Sequence, residues 1–261
     1  MNDSVLYAVS DGVATLTFNR PAVLNALDAE AIRGFRAACE RAGTDAAVRV
    51  IVLRGAGAAF IAGGDVAMFR EKRSEMAALV PELAGELHRG IRALRRAPQP
   101  VIAAVHGAVA GAGMSIMLAC DLVLAAAGTR FSMAYSRIGT SPDGGATWFL
   151  PRLAGHQKAM EWLLLAESMD EESLLRLGIV NRVVPADQLE VETTKLASRL
   201  AAGPAQAYAE TKALVNRALH AELAGHLDAE ALAFARCAAT ADFAEGVTAF
   251  ADKRAPRFQG R

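Results

Sequence analysis

Val101-Ile102-Ala103-Ala104-Val105-His106-Gly107-Ala108-Val109-Ala110-Gly111-Ala112-Gly113-Met114-Ser115-Ile116-Met117-Leu118-Ala119-Cys120-Asp121 is the stretch that decides how the chain folds. Its first five residues are apolar and partly β-branched and follow Pro98-Gln99-Pro100, the pattern of a buried strand. From Met114 to Cys120 the pattern is that of a helix, and a turn of tiny residues lies between the two. A strand, a small-residue turn and a helix together aim backbone N–H groups at a pocket, with no side chain to hold a ligand oxygen away. Such a turn receives a phosphate, receives an oxyanion that develops during catalysis, or is only a tight connection packed on its neighbour. Two nucleotide motifs are absent. Ile116 stands where a G-x-G-x-x-G fingerprint needs its last glycine or alanine, and no Lys-Ser/Thr follows at P-loop spacing. The oxyanion reading gains.

Outward from this stretch, strands alternate with helices. Val5 to Asn19 reads as a hairpin about Asp11-Gly12, and Asp28 as the N-cap of a helix reaching about Ala42. Val48 to Leu53 reads as a buried strand, and Gly55 to Gly64 as a small-residue loop after which Asp65 opens a short helix. Ser74 to Arg96 reads as a long helix, irregular at Pro81 and Gly85. Leu122 to Ala126 is a further strand, and Phe131 to Ile138 an irregular strand and connection. A second glycine-rich turn, Gly139 to Gly145, precedes the helix containing Trp148. After a late strand at Gly178 to Val184 the chain is nearly all helix, with Pro204 opening its last section. The expectation is an α/β layered core with a C-terminal helical appendage. Units starting near residues 50, 101 and 122 suggest a loose repeat.

Composition narrows the function classes. The 261 residues carry 28 Lys+Arg and 28 Asp+Glu, a net charge of zero that offers no field for nucleic acid or an anionic membrane. Hydrophobic residues make up 53%, a surplus that suits an oligomer hiding apolar surface. Cys39, Cys120 and Cys237 are odd in number and far apart, the pattern of reduced thiols in a cytoplasmic protein. Met1-Asn2-Asp3 begins acidic, unlike a secretory leader. His106 and Asp121 divide the apolar run 101–127 into pieces below the roughly 18 residues of a membrane span. No His/Cys/carboxylate group has metal-ligand spacing, so no metal is expected.

Two small-residue turns now line up: Phe60-Ile61-Ala62-Gly63-Gly64-Asp65 and His106 to Gly113. With Asn19-Arg20-Pro21, Asn25-Ala26-Leu27, Gly178-Ile179-Val180 and Glu245-Gly246-Val247 through Phe250 to Lys253-Arg254, the chain resembles the enoyl-CoA hydratase/isomerase (crotonase) family over essentially its whole length. The resemblance implies an α/β fold of the ClpP/crotonase-like type: a spiral of ββα units over residues 1–200, and a helical region over 201–261 that builds trimers, often paired into hexamers. It implies a coenzyme A thioester as substrate, with no separate cofactor. The thioester oxygen would be held by the backbone N–H groups of Ala62 and Ala112. The second of these positions is usually glycine in the family. Losing one such donor typically costs about 10²–10³ in rate.

The family's hydratases carry two glutamates where this chain has Ser115 and Tyr135. Adding water across a double bond needs a base for the water and an acid for the α-carbon, and a hydroxyl pair does not replace two carboxylates at neutral pH. Asp143 in Ser141-Pro142-Asp143-Gly144-Gly145 matches an aspartate that some family isomerases use as acid and base. Pro-Asp-Gly is equally ordinary turn chemistry, with Asp143 capping the helix that begins near Gly145. Isomerisation with Asp143 as proton carrier is the leading expectation. The alternatives are a hydratase, a silent acyl-CoA-binding homologue, and an aryl-CoA dehalogenase-like enzyme, for which His88 lies about one turn from the required position. The resemblance places coenzyme A at Ala22, Val23 and Leu24 and at Gly63, Gly64, Asp65 and Val66, with Ser115 and Tyr135 lining the acyl site. In place of a frequent family lysine near Ala22, Arg20 or Lys253 would meet phosphate. His106 reads as a structural residue at a strand end.

Overall fold

The computed structural model describes residues 3–260. Strands β1 (Val5–Ser10) and β2 (Val13–Phe18) pair antiparallel, with Val5 opposite Phe18. Helix α1 (Ala29–Thr44) follows, its first turn capped by the Asp28 carboxylate, which accepts the Ala31 N–H at 2.8 Å. Strand β3 (Val50–Gly55) runs parallel to β2. Helices α2 (Val66–Glu71) and α3 (Met76–Arg96) lead to β4 (Val101–Val105), which adds to β3, also in parallel. The chain continues through β5 (Ala108–Ala110), α4 (Ala112–Leu118), β6 (Leu122–Ala126) and β7 (Arg130–Ser132). Then come α5 (Ala146–Ala154), α6 (His156–Leu165), β8 (Met169–Asp170), α7 (Glu171–Arg176) and β9 (Arg182–Val184). Helices α8 (Leu189–Ala201), α9 (Ala205–Ala218), α10 (Leu223–Ala238) and α11 (Ala241–Ala251) complete it.

The larger sheet has the order β1-β2-β3-β4-β6-β9 and is parallel from β2 onward. Its inner strands read as continuous apolar runs because both faces are covered. On one face Ile51, Leu53, Val101, Ala103, Val105 and Val123 join the core with Phe35 of α1 and Leu87, Ile91 and Leu94 of α3. On the other, Val50, Val52, Ile102, Ala104 and Leu124 pack with Leu189 and Ala197 of α8. A smaller sheet, β5-β7-β8, extends through an Ile61–Val109 bridge to the turn after β3. The loose repeat of the sequence is therefore physical: successive units each give one strand to the large sheet and one short segment to the small one.

Four expectations shift. The turn after β4 contains β5, an Ala-Val-Ala strand too short for a periodicity to register. The central helix starts at Ala112, two residues before the apolar run, and that makes Ala112 its first residue. Helix α3 runs unbroken through Pro81 and Gly85. Pro81 lies in its second turn, where one internal bond is lost, while buried Leu87, Ile91 and Leu94 anchor the rest. The late strand covers only Arg182–Val184, with Ile179 and Val180 buried in the preceding turn. Cys39 and Cys120 are buried, and burial pushes both thiols up, whereas Cys237 is half-buried. Among the described residues no helix is long and apolar enough to cross a membrane.

Candidate active site

The two small-residue turns meet edge to edge. Ile61 donates its N–H to the Ala108 carbonyl at 3.3 Å and accepts the Ala110 N–H at 2.9 Å. A Cβ at Gly113 would collide with the Ile61 carbonyl, so only glycine lets the start of α4 come this close. Ala62 and Ala112 are thereby brought to adjoining positions at the lip of the two turns. Ala112 is buried and opens α4, so its N–H has no acceptor within the helix.

Ala62 differs from the expectation of a free donor. Its N–H donates to the Leu24 carbonyl at 3.0 Å. Leu24 reaches that position in a left-handed conformation (φ 53°, ψ 36°), followed by Asn25 at φ 59°. Buried Asn25 fixes the segment: its Oδ1 accepts the Arg20 N–H at 2.8 Å, and its Nδ2 donates to the Ala56 and Ala59 carbonyls at 2.9 and 2.8 Å. The ladder continues with Leu27 N–H to the Gly63 carbonyl at 2.8 Å and Asp65 N–H to the Leu27 carbonyl at 2.9 Å. The two segments read as coenzyme A contacts, Ala22 to Leu24 and Gly63 to Val66, are thus one joined surface. Val23, Leu24 and Val66 expose apolar side chains on it.

The charged residues of this surface are already committed. The Asp65 carboxylate caps α2 by accepting the Met68 N–H at 3.2 Å and pairs with Arg20 at 3.1 Å. Burial works against its charge, but those two partners hold the carboxyl below its usual range. Arg20 also pairs with Asp28 at 2.9 Å and donates to the Ala26 carbonyl. It therefore has a structural task, whereas the Lys253 side chain, exposed after α11, has no partner among the described residues. At its strand end His106 donates from Nε2 to the Gly57 carbonyl at 2.9 Å.

Ser115, Tyr135 and Asp143 come together. The Tyr135 hydroxyl donates to Asp143 Oδ1 at 2.8 Å, Ser115 donates to the Asp143 carbonyl at 2.9 Å, and the two hydroxyls lie 2.9 Å apart. Ser115 and Tyr135 are buried. Burial, and after it the Asp143 charge, push the Tyr135 hydroxyl far above its ordinary value, so it stays a donor. Three contacts share two hydroxyl hydrogens. With the carboxyl ionised, the Ser115–Tyr135 contact lacks one. With it protonated, the ring closes: Asp143 to Tyr135, Tyr135 to Ser115, Ser115 to the Asp143 carbonyl.

The capping role for Asp143 does not survive. The N-cap of α5 is Gly145, without a side-chain bond, and the Asp143 carboxylate turns to Tyr135 instead. The turn needs glycine at 144, where φ is +60° and a Cβ would stand 2.7 Å from Ser115 Cβ. The same residue ties in a histidine that spacing alone set aside: the Gly144 N–H donates to His88 Nε2 at 3.1 Å. Because Nε2 accepts, the ring proton is on Nδ1. Ile91, one turn along α3 from His88, packs toward the same glycine.

The sequence profile described as "Enoyl-CoA hydratase/isomerase" matches residues 8–261. The chain is 40% identical over 258 residues to a "probable enoyl-CoA hydratase" of Rhodobacter capsulatus, covering 99% of this chain and 98% of that protein. It is 35% identical to the 1,2-epoxyphenylacetyl-CoA isomerase of Escherichia coli over the full length of both. The crystal structure of an enoyl-CoA hydratase from Polaromonas sp. superposes with a TM-score of 0.93 at 36% identity, covering 98% of this chain and 99% of that one. Sequence motifs, topology and these likenesses agree, and the chain belongs to the enoyl-CoA hydratase/isomerase family, with the crotonase fold.

Proposed function

We propose that this protein is an enoyl-CoA isomerase that moves a double bond by a 1,3-proton shift. The observation that carries the reading is the Asp143 carboxylate bonded to Tyr135 and backed by Ser115, where hydratases of the family use two glutamates. In a 3-enoyl-CoA, Asp143 removes a proton from the carbon next to the thioester. The resulting negative charge spreads to the thioester oxygen between the Ala62 and Ala112 N–H groups, and Asp143 returns the proton at the far carbon, leaving a 2-enoyl-CoA. One carboxylate serves both transfers, whereas hydration asks for a second acid/base group. The names of the relatives include a hydratase and an isomerase, so this choice rests on the chemistry of the residues.

The reading needs no cofactor beyond the coenzyme A of the substrate. Leu223, Phe234 and Phe250 are 72%, 68% and 88% exposed on the helical region after residue 200, which favours self-assembly, and the state that goes with this reading is a cytoplasmic trimer or hexamer. The test is incubation of the purified protein with 3-enoyl- and 2-enoyl-CoA, following bond position by absorbance and hydration by mass, beside Asp143→Ala. Conversion of the 3-enoyl form that disappears in the variant supports the reading. Hydration that persists without Asp143 refutes it.

A further inference from the structure

Asp143 and Gly144 share one peptide group, and that group is held at both ends. On one side the Asp143 carbonyl accepts the Ser115 hydroxyl at 2.9 Å and the Ala146 N–H at 3.2 Å. On the other the Gly144 N–H donates to His88 Nε2 at 3.1 Å. The restraint is needed because Gly144 lies at φ +60°. Glycine takes positive and negative φ about equally, so the peptide group in front of it turns over at little cost unless both ends are tied. Turning it over carries the Asp143 carbonyl away from Ser115. It also disturbs the backbone from which the Asp143 carboxylate reaches the Tyr135 hydroxyl, 2.8 Å from Oδ1.

His88 is suited to the task by where it stands. It projects from α3, whose Leu87, Ile91 and Leu94 are buried, so the imidazole is presented by a rigid element and not by the loop it holds. The same helix walls the turn: a Cβ at Gly144 would stand 3.4 Å from Ile91 Cδ1. The Asp143 carboxylate itself is bonded to Tyr135, so His88 acts on it through the backbone. In the neutral ring only the nitrogen without a proton accepts, and here that nitrogen is spent on Gly144. A single proton carrier has to serve two carbons from one place, and a misplacement of about 1 Å costs on the order of 10²-fold in rate.

We propose that His88 is a positioning residue: as a neutral acceptor it locks the Asp143–Gly144 peptide and so fixes the carboxylate that carries the proton. The proposal rests on the isomerase reading for the task of Asp143, and one of its two measurements is independent of turnover. His88→Leu fills the space without an acceptor, whereas in His88→Gln the side-chain oxygen reaches about as far as Nε2 and accepts in its place. In steady-state kinetics with a 3-enoyl-CoA, His88→Leu is expected to lower kcat by about 10–100-fold and leave KM nearly unchanged. His88→Gln is expected to recover most of that loss. By NMR, amide exchange at Gly144 is expected to be slow in the native protein and in His88→Gln, and fast in His88→Leu. The amides of β3 and β4 stay protected in all three, which separates a loosened turn from a loosened fold. A native kcat in His88→Leu, a loss confined to KM, or equal exchange at Gly144 with and without the histidine overturns the proposal. So does a His88→Gln variant as slow as His88→Leu, because the imidazole would then act by moving a proton and not by holding a peptide. The expected exchange pattern in a native protein that isomerises no enoyl-CoA keeps the lock and refutes the isomerase reading.

Discussion

The Ala62 N–H donates to the Leu24 carbonyl at 3.0 Å, so the donor that the proposed mechanism asks to hold a thioester oxygen already has an acceptor. Binding then exchanges one hydrogen bond for another, and the Leu24 carbonyl has to withdraw. In NMR spectra, a saturated acyl-CoA is expected to shift the Ala62 amide well beyond the shift caused by coenzyme A without an acyl group, which reaches only the neighbouring Leu24 and Gly63. Identical shifts with both ligands would remove Ala62 from the site.

Asn25 sets the position of that carbonyl. Replacing it by alanine leaves the Ala56 and Ala59 carbonyls and the Arg20 N–H without their partners in a partly buried place, and leaves at φ 59° a residue that tolerates the left-handed region less well than asparagine. Unpaired buried groups cost about 1–3 kcal/mol. Urea unfolding of Asn25→Ala is expected to show a loss of at least that order, with the slope against denaturant unchanged. A loss within a few tenths would mean that water fills the vacated bonds.

Tyr135 is a donor over the working pH range because burial and the Asp143 charge keep its hydroxyl protonated. The unfolded chain releases that proton near the ordinary value of 10.0 while the folded one keeps it, so Tyr135 makes stability fall as pH rises above about 10. Tyr135→Phe is expected to leave the alkaline absorbance titration of the native protein unchanged up to that pH. It should lower kcat by about 10–100-fold, since the carboxylate loses the group that orients it. A tyrosinate signal missing from the variant near pH 10 would contradict the donor role.

The large sheet was legible because β3, β4 and β6 are β-branched or apolar runs bounded by turn residues, a pattern that burial on both faces imposes. The caps at Asp28 and Asp65 were legible for a local reason, the side chain bonding a backbone N–H three residues on. Strand β5 was not, because Ala-Val-Ala carries no period and pairs only through partners distant in sequence. The site divides the same way. Ser115, Tyr135 and Asp143 could be named from motif positions, but the bond between Tyr135 and Asp143 depends on a left-handed residue at Ala134 and a glycine pair at 144–145. His88 was passed over because its contact runs to a backbone N–H, which no side-chain pattern announces.

Glu245 ties the chain after α11 back onto that helix. Its carboxylate accepts Arg254 Nη1 and Nη2 at 2.7 and 2.9 Å and the Arg257 N–H at 2.7 Å. The Arg254 bonds first, and then that N–H, pull the carboxyl down from 4.5 to about 2. A lowered carboxyl contributes stability that is present above its unfolded value and lost as pH falls through the folded one. Glu245→Gln keeps the shape and removes the charge. The difference in unfolding free energy between the native protein and this variant is expected to be constant from neutral pH down to about 4.5, and to shrink toward zero as pH approaches 2. Urea titrations at several pH values measure it. A difference that stays constant through that window would mean that the contacts of this carboxylate owe nothing to its charge.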